Sequence, residues 1–308
     1  MRPGLWGAMC VLVSACSLVD ALGGSGNGAD GGGDFPTNSK VVQVSSGRFH
    51  SCAVTSNDRV VCWGRSDGGL IDPPPGAFVQ VSVGSDHSCA LGSDKRIQCW
   101  GSNSDGALAA PSGEFVFVSA GEGHACALQM DETLTCWGKN ASGQASPPPG
   151  SFQEVSAWGN HTCGRMGPQV VCWGANTRGE EQTPLESVTG VATGTFHVCA
   201  IRGDDSVLCW GSNFDYGGGI ETGQAQAPGG SFSEVTAGGL HTCGRQMDST
   251  VTCWGGNAFG EASPPFGLAF QSLSAGQDHT CGVTVDGAAV CWGSNDSGQS
   301  SPPDPGDI

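Results

Sequence analysis

Histidine, cysteine and tryptophan are the residues of this chain whose types and spacing could carry chemistry. A His-x-Cys element begins at His50, His87, His124, His161, His197, His241 and His279, and each is followed by Cys-Trp-Gly at Cys62, Cys99, Cys136, Cys172, Cys209, Cys253 and Cys291. Together these phrases consume all seven histidines and fourteen of the sixteen cysteines. An imidazole and two thiols per unit suit zinc ligation or disulfide formation. Catalysis is a poorer match, because acid–base or nucleophilic chemistry needs an unrepeated, convergent group. No histidine stands outside the repeat.

The elements that would position these groups are short strands. In the third unit, Phe115 to Gly121 reads as a strand ending in glycine, His124 to Leu128 as a second and Leu134 to Gly138 as a third. Met130-Asp131-Glu132 makes the turn, Asn140 to Gln144 a polar loop, and Pro147 to Gly150 the link onward. Strands at this spacing with turn residues between them indicate an all-β fold. In a hairpin centred on Asp131, Cys126 stands opposite Cys136, where directly opposed residues lie within disulfide range. The same arithmetic pairs Cys52 with Cys62, Cys89 with Cys99, Cys199 with Cys209, Cys243 with Cys253 and Cys281 with Cys291. Cys163 and Cys172 are nine apart and need an even turn at Gly167-Pro168. Zinc is disfavoured, because His-x-Cys on a strand uses one face and no fourth ligand recurs; neither metal nor cofactor is expected. The recurring histidine is expected to satisfy a turn carbonyl. The seven tryptophans, and the phenylalanines that open most units (Phe78, Phe115, Phe152, Phe232, Phe270), are expected to fill the space between units.

Successive histidines lie 36 to 38 residues apart, except for 44 between His197 and His241. A fixed period of this length signals a solenoid or a propeller. The net charge of −17, with only 12 basic residues in 308, argues against nucleic acid and anionic membrane surfaces as partners. Residues 1–16 read as an export signal: Arg2 precedes an apolar run from Leu5 to Ala15 that is too short to span a bilayer. Val13-Ser14-Ala15-Cys16 resembles the lipobox of bacterial lipoproteins, and that resemblance implies a lipid on Cys16. Cys10 would leave with the signal. Residues 17–40 are rich in Gly, Asp, Asn and Ser and read as a flexible tether, with the repeat domain at 41–308. The expected location is an outer membrane or the cell surface, held only by the lipid anchor, with plain secretion as the alternative. Disulfides fit such an oxidising compartment.

The phrase Val-Ser-Ala-Gly-x-x-His-Thr-Cys … Cys-Trp-Gly-x-Asn-x-x-Gly-Gln resembles the repeat of the regulator of chromosome condensation superfamily. Its loop part is plain at Asn140, Gly143 and Gln144 and at Asn295, Gly298 and Gln299. The resemblance covers about residues 41 to 302 and implies a seven-bladed β-propeller with blades of three to four short strands. The compact period is similar to that of the secreted β-lactamase-inhibitor branch; the cysteine pairs are a departure that fits export. The inhibitor-like members bind a protein on one end of the ring. The nuclear members exchange guanine nucleotide on a small GTPase through an inserted wedge and a basic surface, which this chain lacks.

Where the repeat breaks, function is the better expectation. Phe214 to Glu221 is an insertion holding the chain's single tyrosine, Tyr216. Trp158 replaces the glycine seen at Gly121. These three, Phe214, Tyr216 and Trp158, are the candidate binding residues, since aromatics anchor interfaces. Arg165 and Arg245 stand where Val54 and Leu128 stand in other units, and are either paired in a gap between blades or markers of a binding face. The pair Asp204-Asp205 falls at a hairpin turn, and Asp67, Asp105 and Asp296 match no established calcium loop. No catalytic residue is expected. The expected function is a non-catalytic, monomeric, lipid-anchored propeller that binds a protein partner through loops on one rim. The alternatives are a glycan-binding surface protein and an enzyme inhibitor or exchange-factor-like regulator. The Gly298 to Gly306 segment is expected to lie against Lys40 to Val44 and close the ring.

Overall fold

The computed structural model describes residues 39–303. The export segment, most of the tether and Cys16 lie outside them. Each repeat unit forms one antiparallel sheet in chain order, inner, middle and outer strand. Blade I is Val41–Ser46, His50–Thr55 and Val60–Gly64; blade II is Phe78–Val83, His87–Gly92 and Ile97–Gly101. Blade III is Phe115–Ala120, His124–Gln129 and Leu134–Gly138; blade IV is Glu154–Trp158, His161–Met166 and Gln169–Gly174. Blade V is Val188–Thr193, His197–Arg202 and Val207–Gly211. Blade VI is Phe232–Ala237, His241–Gln246 and Val251–Gly255, and blade VII is Phe270–Ala275, His279–Thr284 and Ala289–Gly293. Every blade therefore has three strands, and one 3₁₀ turn, Asp67–Gly69, is the helical structure among the described residues.

The two cysteines of each unit stand directly opposite each other, for example Cys126 against Cys136 with Leu128 against Leu134. Their Cα atoms are 4.0 to 4.1 Å apart, and all seven pairs are bonded within their own blade. In blade IV a two-residue turn, Gly167-Pro168, joins Met166 to Gln169 and keeps Cys163 opposite Cys172. The shorter turn suits glycine, because residue 167 adopts φ 60°.

Side chains alternate across a strand, so the disulfide faces one neighbouring blade and the adjacent tryptophan faces the other. Seven apolar clusters result, each shared by two blades. Cys52 and Val54 of blade I pack on Phe78, Val81, Ala90 and Trp100 of blade II. Cys281 and Val283 of blade VII pack on Val41, Val44, Ala53 and Trp63 of blade I, which closes the ring. The carbonyl of Gln299 accepts from Trp63 Nε1 at 2.9 Å and Ser51 Oγ at 3.2 Å. Through Gln299 the C-terminal loop thus seats on Ser51 and Trp63; residues 304–306 of the segment expected against Lys40 to Val44 lie outside the described residues. That inner strand is held from Val41 N to the Gly287 carbonyl, 2.8 Å. The loop after each outer strand is a clamp: Trp137 Nε1 meets the Ala107 carbonyl and Trp254 Nε1 the Gln224 carbonyl in the same way.

The histidines are buried and their partner is not a turn carbonyl. His50 Nε2 meets Ser88 Oγ of the next blade at 2.7 Å, and His124, His197, His241 and His279 meet Thr162, Thr242, Thr280 and Ser51 at 2.7 to 2.8 Å. Thr162, Thr242 and Thr280 each give their hydroxyl proton to a loop carbonyl, so the histidine must be the donor through Nε2–H. Nδ1 of these five rings is buried without a hydrogen-bond partner, so a second proton there would be unpaired and the ring is neutral. Burial pushes these rings down, to about 3 for His50, His124, His197, His241 and His279 and about 4 for His87 and His161. His87 and His161 have no such partner, because Ala125 and Val198 stand where the hydroxyl would be.

Residues from all seven inner strands line a central channel. Side chains lace one inner strand to the next. Ser45, Ser82, Ser119, Ser156, Thr236 and Ser274 each accept the backbone N–H of the following blade at 2.8 to 3.0 Å. One turn along, Gln43, Gln80, Glu154 and Glu234 accept a second such N–H. Arg165 and Arg245 belong to this lacing. They pair with Glu154 at 3.2 Å and Glu234 at 3.0 Å, with all four side chains 9 to 13% exposed. They are buried pairs in the blade gap, not a binding face. Burial pushes both carboxyls up, against the pull of the N–H groups and arginines.

Candidate functional site

Each blade runs up its inner strand, turns, and descends its middle strand from the histidine, so seven inner-to-middle turns encircle one mouth of the channel. The turns approach closely: a methyl group on Gly238 would come within 2.2 Å of the Gly276 carbonyl oxygen. Glycine at this position is a packing requirement. Blade IV departs from it at Trp158, and the next residue, Gly159, takes the left-handed turn at φ 50°. Trp158 lines the mouth, 7% exposed, and donates Nε1–H to Thr195 Oγ1 at 3.2 Å.

The insertion after blade V is a small hairpin over the same mouth. Phe214 bridges Glu221, and Asp215 N donates to the Ile220 carbonyl at 2.8 Å. The Asp215 carboxylate accepts from Gly219 N and Ile220 N, which holds it below the usual carboxylate range. Arg178, from the loop after blade IV, fixes the hairpin in place. Its guanidinium donates to the carbonyls of Asp215 and Tyr216 at 2.8 Å each and lies 4.3 Å over the Phe196 ring. Phe196 meets Tyr216 edge to face at 5.6 Å.

Tyr216 reaches across blade VI. A methyl on Gly239 would lie 2.8 Å from its hydroxyl, so only glycine fits beneath it. Burial, followed by Asp278, pushes its hydroxyl up to about 12. It therefore remains a donor at all physiological pH values. Trp158 and Tyr216, 58 positions apart (216 − 158), are thus brought together by the adjacent residues Thr195 and Phe196. They line a cavity of about 390 Å³ together with Phe196, Arg48, Glu122, Asn160 and Gln277. Phe214 does not line it; it stands outside on the rim, 45% exposed, near the exposed Ile220. Arg48 stacks on Phe49 at 4.7 Å and Glu122 pairs with Lys139 at 3.1 Å.

Sequence reasoning found Trp158 and Tyr216 as breaks in the repeat but missed Thr195, Arg178 and Phe196, which join them. A signal existed, since Phe196 and Phe49 are aromatics where other units carry Asp86, Gly123, Asn160, Leu240 and Asp278. The remaining candidates have structural places. Asp204 caps its turn by accepting from Ser206 N at 3.1 Å, and Asp67 pairs with Arg65 at 2.8 Å. Among the described residues no three His, Cys, Asp or Glu side chains are placed to hold a metal ion. Among them too, no helix is long and apolar enough to cross a membrane.

Seven sheets around a channel, one disulfide in each, and a recess at one mouth define a stapled seven-bladed β-propeller. The chain belongs to the regulator of chromosome condensation (RCC1) repeat superfamily: residues 41–69, 78–107, 115–144, 188–217 and 270–299 match that repeat. The two blades outside the match, IV and VI, are those that bury a Glu–Arg pair. The fold is similar to the entire ectodomain of the receptor kinase CR4 from Physcomitrella patens. The two share 25% identity over 83% of this chain and 74% of that one, with a TM-score of 0.71. The ectodomain of the Arabidopsis thaliana receptor kinase ACR4 aligns at 24% identity over 83% and 98% of the two chains, TM-score 0.68. Prp20p from Saccharomyces cerevisiae, described for its binding to Gsp1p and histones, aligns at 15% identity over 77% and 80%, TM-score 0.62. No curated protein matches the sequence significantly.

Proposed function

We propose that this protein is a non-catalytic binding propeller of the cell envelope, anchored through a lipid on Cys16, that grips a protein partner with the rim around Tyr216. The observation that carries this reading is the convergence of the two off-repeat aromatics on the neighbouring residues Thr195 and Phe196, under a hairpin held by Arg178. Rigid aromatics beside exposed apolar side chains, here Phe214 and Ile220, are what protein interfaces use as anchors. Binding of protein partners by a propeller relative, as described for Prp20p, supports the same reading. Seven disulfides belong to an oxidising compartment.

The geometry also supports an open rim. Lys40 and Val41 sit among the hairpin turns, where the Lys40 carbonyl accepts from Ser56 N and Val41 N donates to Gly287. That is the end of the ring opposite the mouth, so the chain leading toward Cys16 starts away from the mouth and leaves it open to a partner.

A glycan would need an open aromatic face to stack on. Trp158 is 7% exposed and the Phe196 face is covered by Arg178, so Phe214 and Tyr216, each 45% exposed, are the faces left to a sugar, and a glycan array separates the two readings. The test is crosslinking and capture on intact cells with wild type and with Phe214→Ala/Tyr216→Ala, beside a glycan array. The expected result is a partner captured by wild type and lost at least about tenfold in the variant, a difference of about 1.4 kcal/mol. Unchanged capture would move the site elsewhere, and glycan binding with no captured protein would overturn the reading. Cys16→Ser should release the protein from the membrane fraction.

A further inference from the structure

One of the seven seams between blades is unlaced. At the other six, at least one inner-strand side chain accepts a backbone N–H of the next blade, and four seams have both bonds. Between blades V and VI the two acceptor positions are Gly190 and Ala192, which have no acceptor to offer the outward N–H groups of Val235 and Ala237. With only Gly190 there, Ile201 is open to the channel. The connection across this seam is also the longest, 44 residues from His197 to His241. Its remaining ties are Phe232 N to the Asp205 carbonyl at 2.8 Å, Thr195 N to the Gly238 carbonyl at 3.1 Å, His197 and Cys199 to Thr242 at 2.7 and 3.8 Å, Thr242 and Trp254 to the Gln224 carbonyl, and the packing of Cys199, Ile201 and Val207 on Phe232.

We infer that the V/VI seam is the compliant joint of the ring and that Tyr216 is the strut that restrains it. Tyr216 is carried by the connection that leaves blade V, yet its hydroxyl rests on Gly239 of blade VI while its ring meets Phe196 of blade V edge to face at 5.6 Å. It therefore spans the joint at the mouth, where the channel lacing is missing below. Local opening in a folded protein occurs where few interactions resist it, and removing hydrogen bonds lowers that resistance. A ligand that grips Tyr216 would act directly on this joint. That consequence rests on the rim being the binding face, whereas the experiment below needs no ligand.

The test is native-state hydrogen exchange of groups that bond across seams. The Thr195 amide reports on V/VI; the Glu122 amide, bonded to the Gly159 carbonyl at 2.9 Å, reports on III/IV; the Gln277 amide, bonded to the Gly47 carbonyl at 3.0 Å, reports on VII/I. Thr195 is expected to exchange about tenfold faster than the other two after correction for intrinsic rates. Gly190→Gln with Ala192→Ser should erase the difference. The nearest atom to a side chain added at Gly190 is Glu154 Oε1 at 4.0 Å, so there is room. Tyr216→Ala should speed Thr195 further and leave Glu122 and Gln277 unchanged. The converse variant, Gln43→Gly with Ser45→Ala, should loosen the I/II seam at the Trp100 indole N–H. Equal protection of Thr195, Glu122 and Gln277 in wild type would overturn the joint, and an unaltered Thr195 rate in Tyr216→Ala would overturn the strut.

Discussion

Acid should unfold this ring by a route written into its histidines. All seven imidazoles are buried, and burial holds them at about 3 to 4, against 6.5 when exposed. The unfolded chain binds protons that the fold refuses. The stability each neutral ring contributes is complete above pH 6.5 and is lost progressively as pH falls from 6.5 toward 3 to 4. At pH 5 the loss is about 2 kcal/mol per histidine, and on the order of 14 kcal/mol for seven, comparable to the whole stability of a typical domain. Glu154 and Glu234 work in the opposite direction, because their raised carboxyls take up protons in the folded state as pH falls. Two such groups offset only part of seven. The assay is guanidinium unfolding with disulfides intact at pH steps from 8 to 4.5. The free energy should be flat above about pH 7.5 and then fall with a slope approaching seven protons, less the carboxyl contribution. Equal stability at pH 7.5 and pH 5, or a slope below about two protons, would refute buried neutral histidines as seam bonds.

Four further outcomes follow from particular contacts. Val198→Thr supplies the hydroxyl that His161 lacks, within reach of the Glu180 carbonyl that already accepts from Trp210, and should raise stability by about 1 kcal/mol in thermal unfolding. The reverse change, Thr242→Val, orphans His197 Nε2 and should cost about 1 to 3 kcal/mol. Arg178→Ala removes the bonds to Asp215 and Tyr216 and should loosen the insertion, read as faster exchange of the Thr222 amide, with a melting temperature within a few degrees of wild type. Replacing Cys126 and Cys136 together by serine opens one ten-residue loop and should cost somewhat under ~3 kcal/mol by equilibrium unfolding.

The blades were legible because their signals are local. The ten-residue gap from Cys126 to Cys136 defines a hairpin register, and the period of the histidines gives the blade count without knowledge of any long-range contact. The site was only half legible. Trp158 and Tyr216 stand out as departures from a repeat, but their meeting depends on how blades IV, V and VI lie side by side, which no local pattern encodes. The partner of the histidine was missed for the same reason: Thr162 is one residue past its own histidine, yet it serves His124 of the blade before. Arg165 and Arg245 look anomalous in sequence because their compensation, Glu154 and Glu234, is eleven residues away on the adjacent strand.

The locality of the bridges has a consequence for how the chain acquires them. Fourteen cysteines admit about 135,000 complete pairings, so random oxidation would almost never give the right one. Here every partner is the next cysteine along the chain, nine or ten residues on. Loops of that length close in roughly 10–100 ns, far faster than disulfide exchange. Under the export proposed above, a chain emerging from a translocation pore would present its cysteines in order, and each pair could join before the following pair is exposed. Correct pairing then follows from the order of arrival, and reshuffling by an isomerase becomes dispensable. Fed in from a reduced, full-length denatured state, the same sequence loses that ordering and faces the whole combinatorial problem at once.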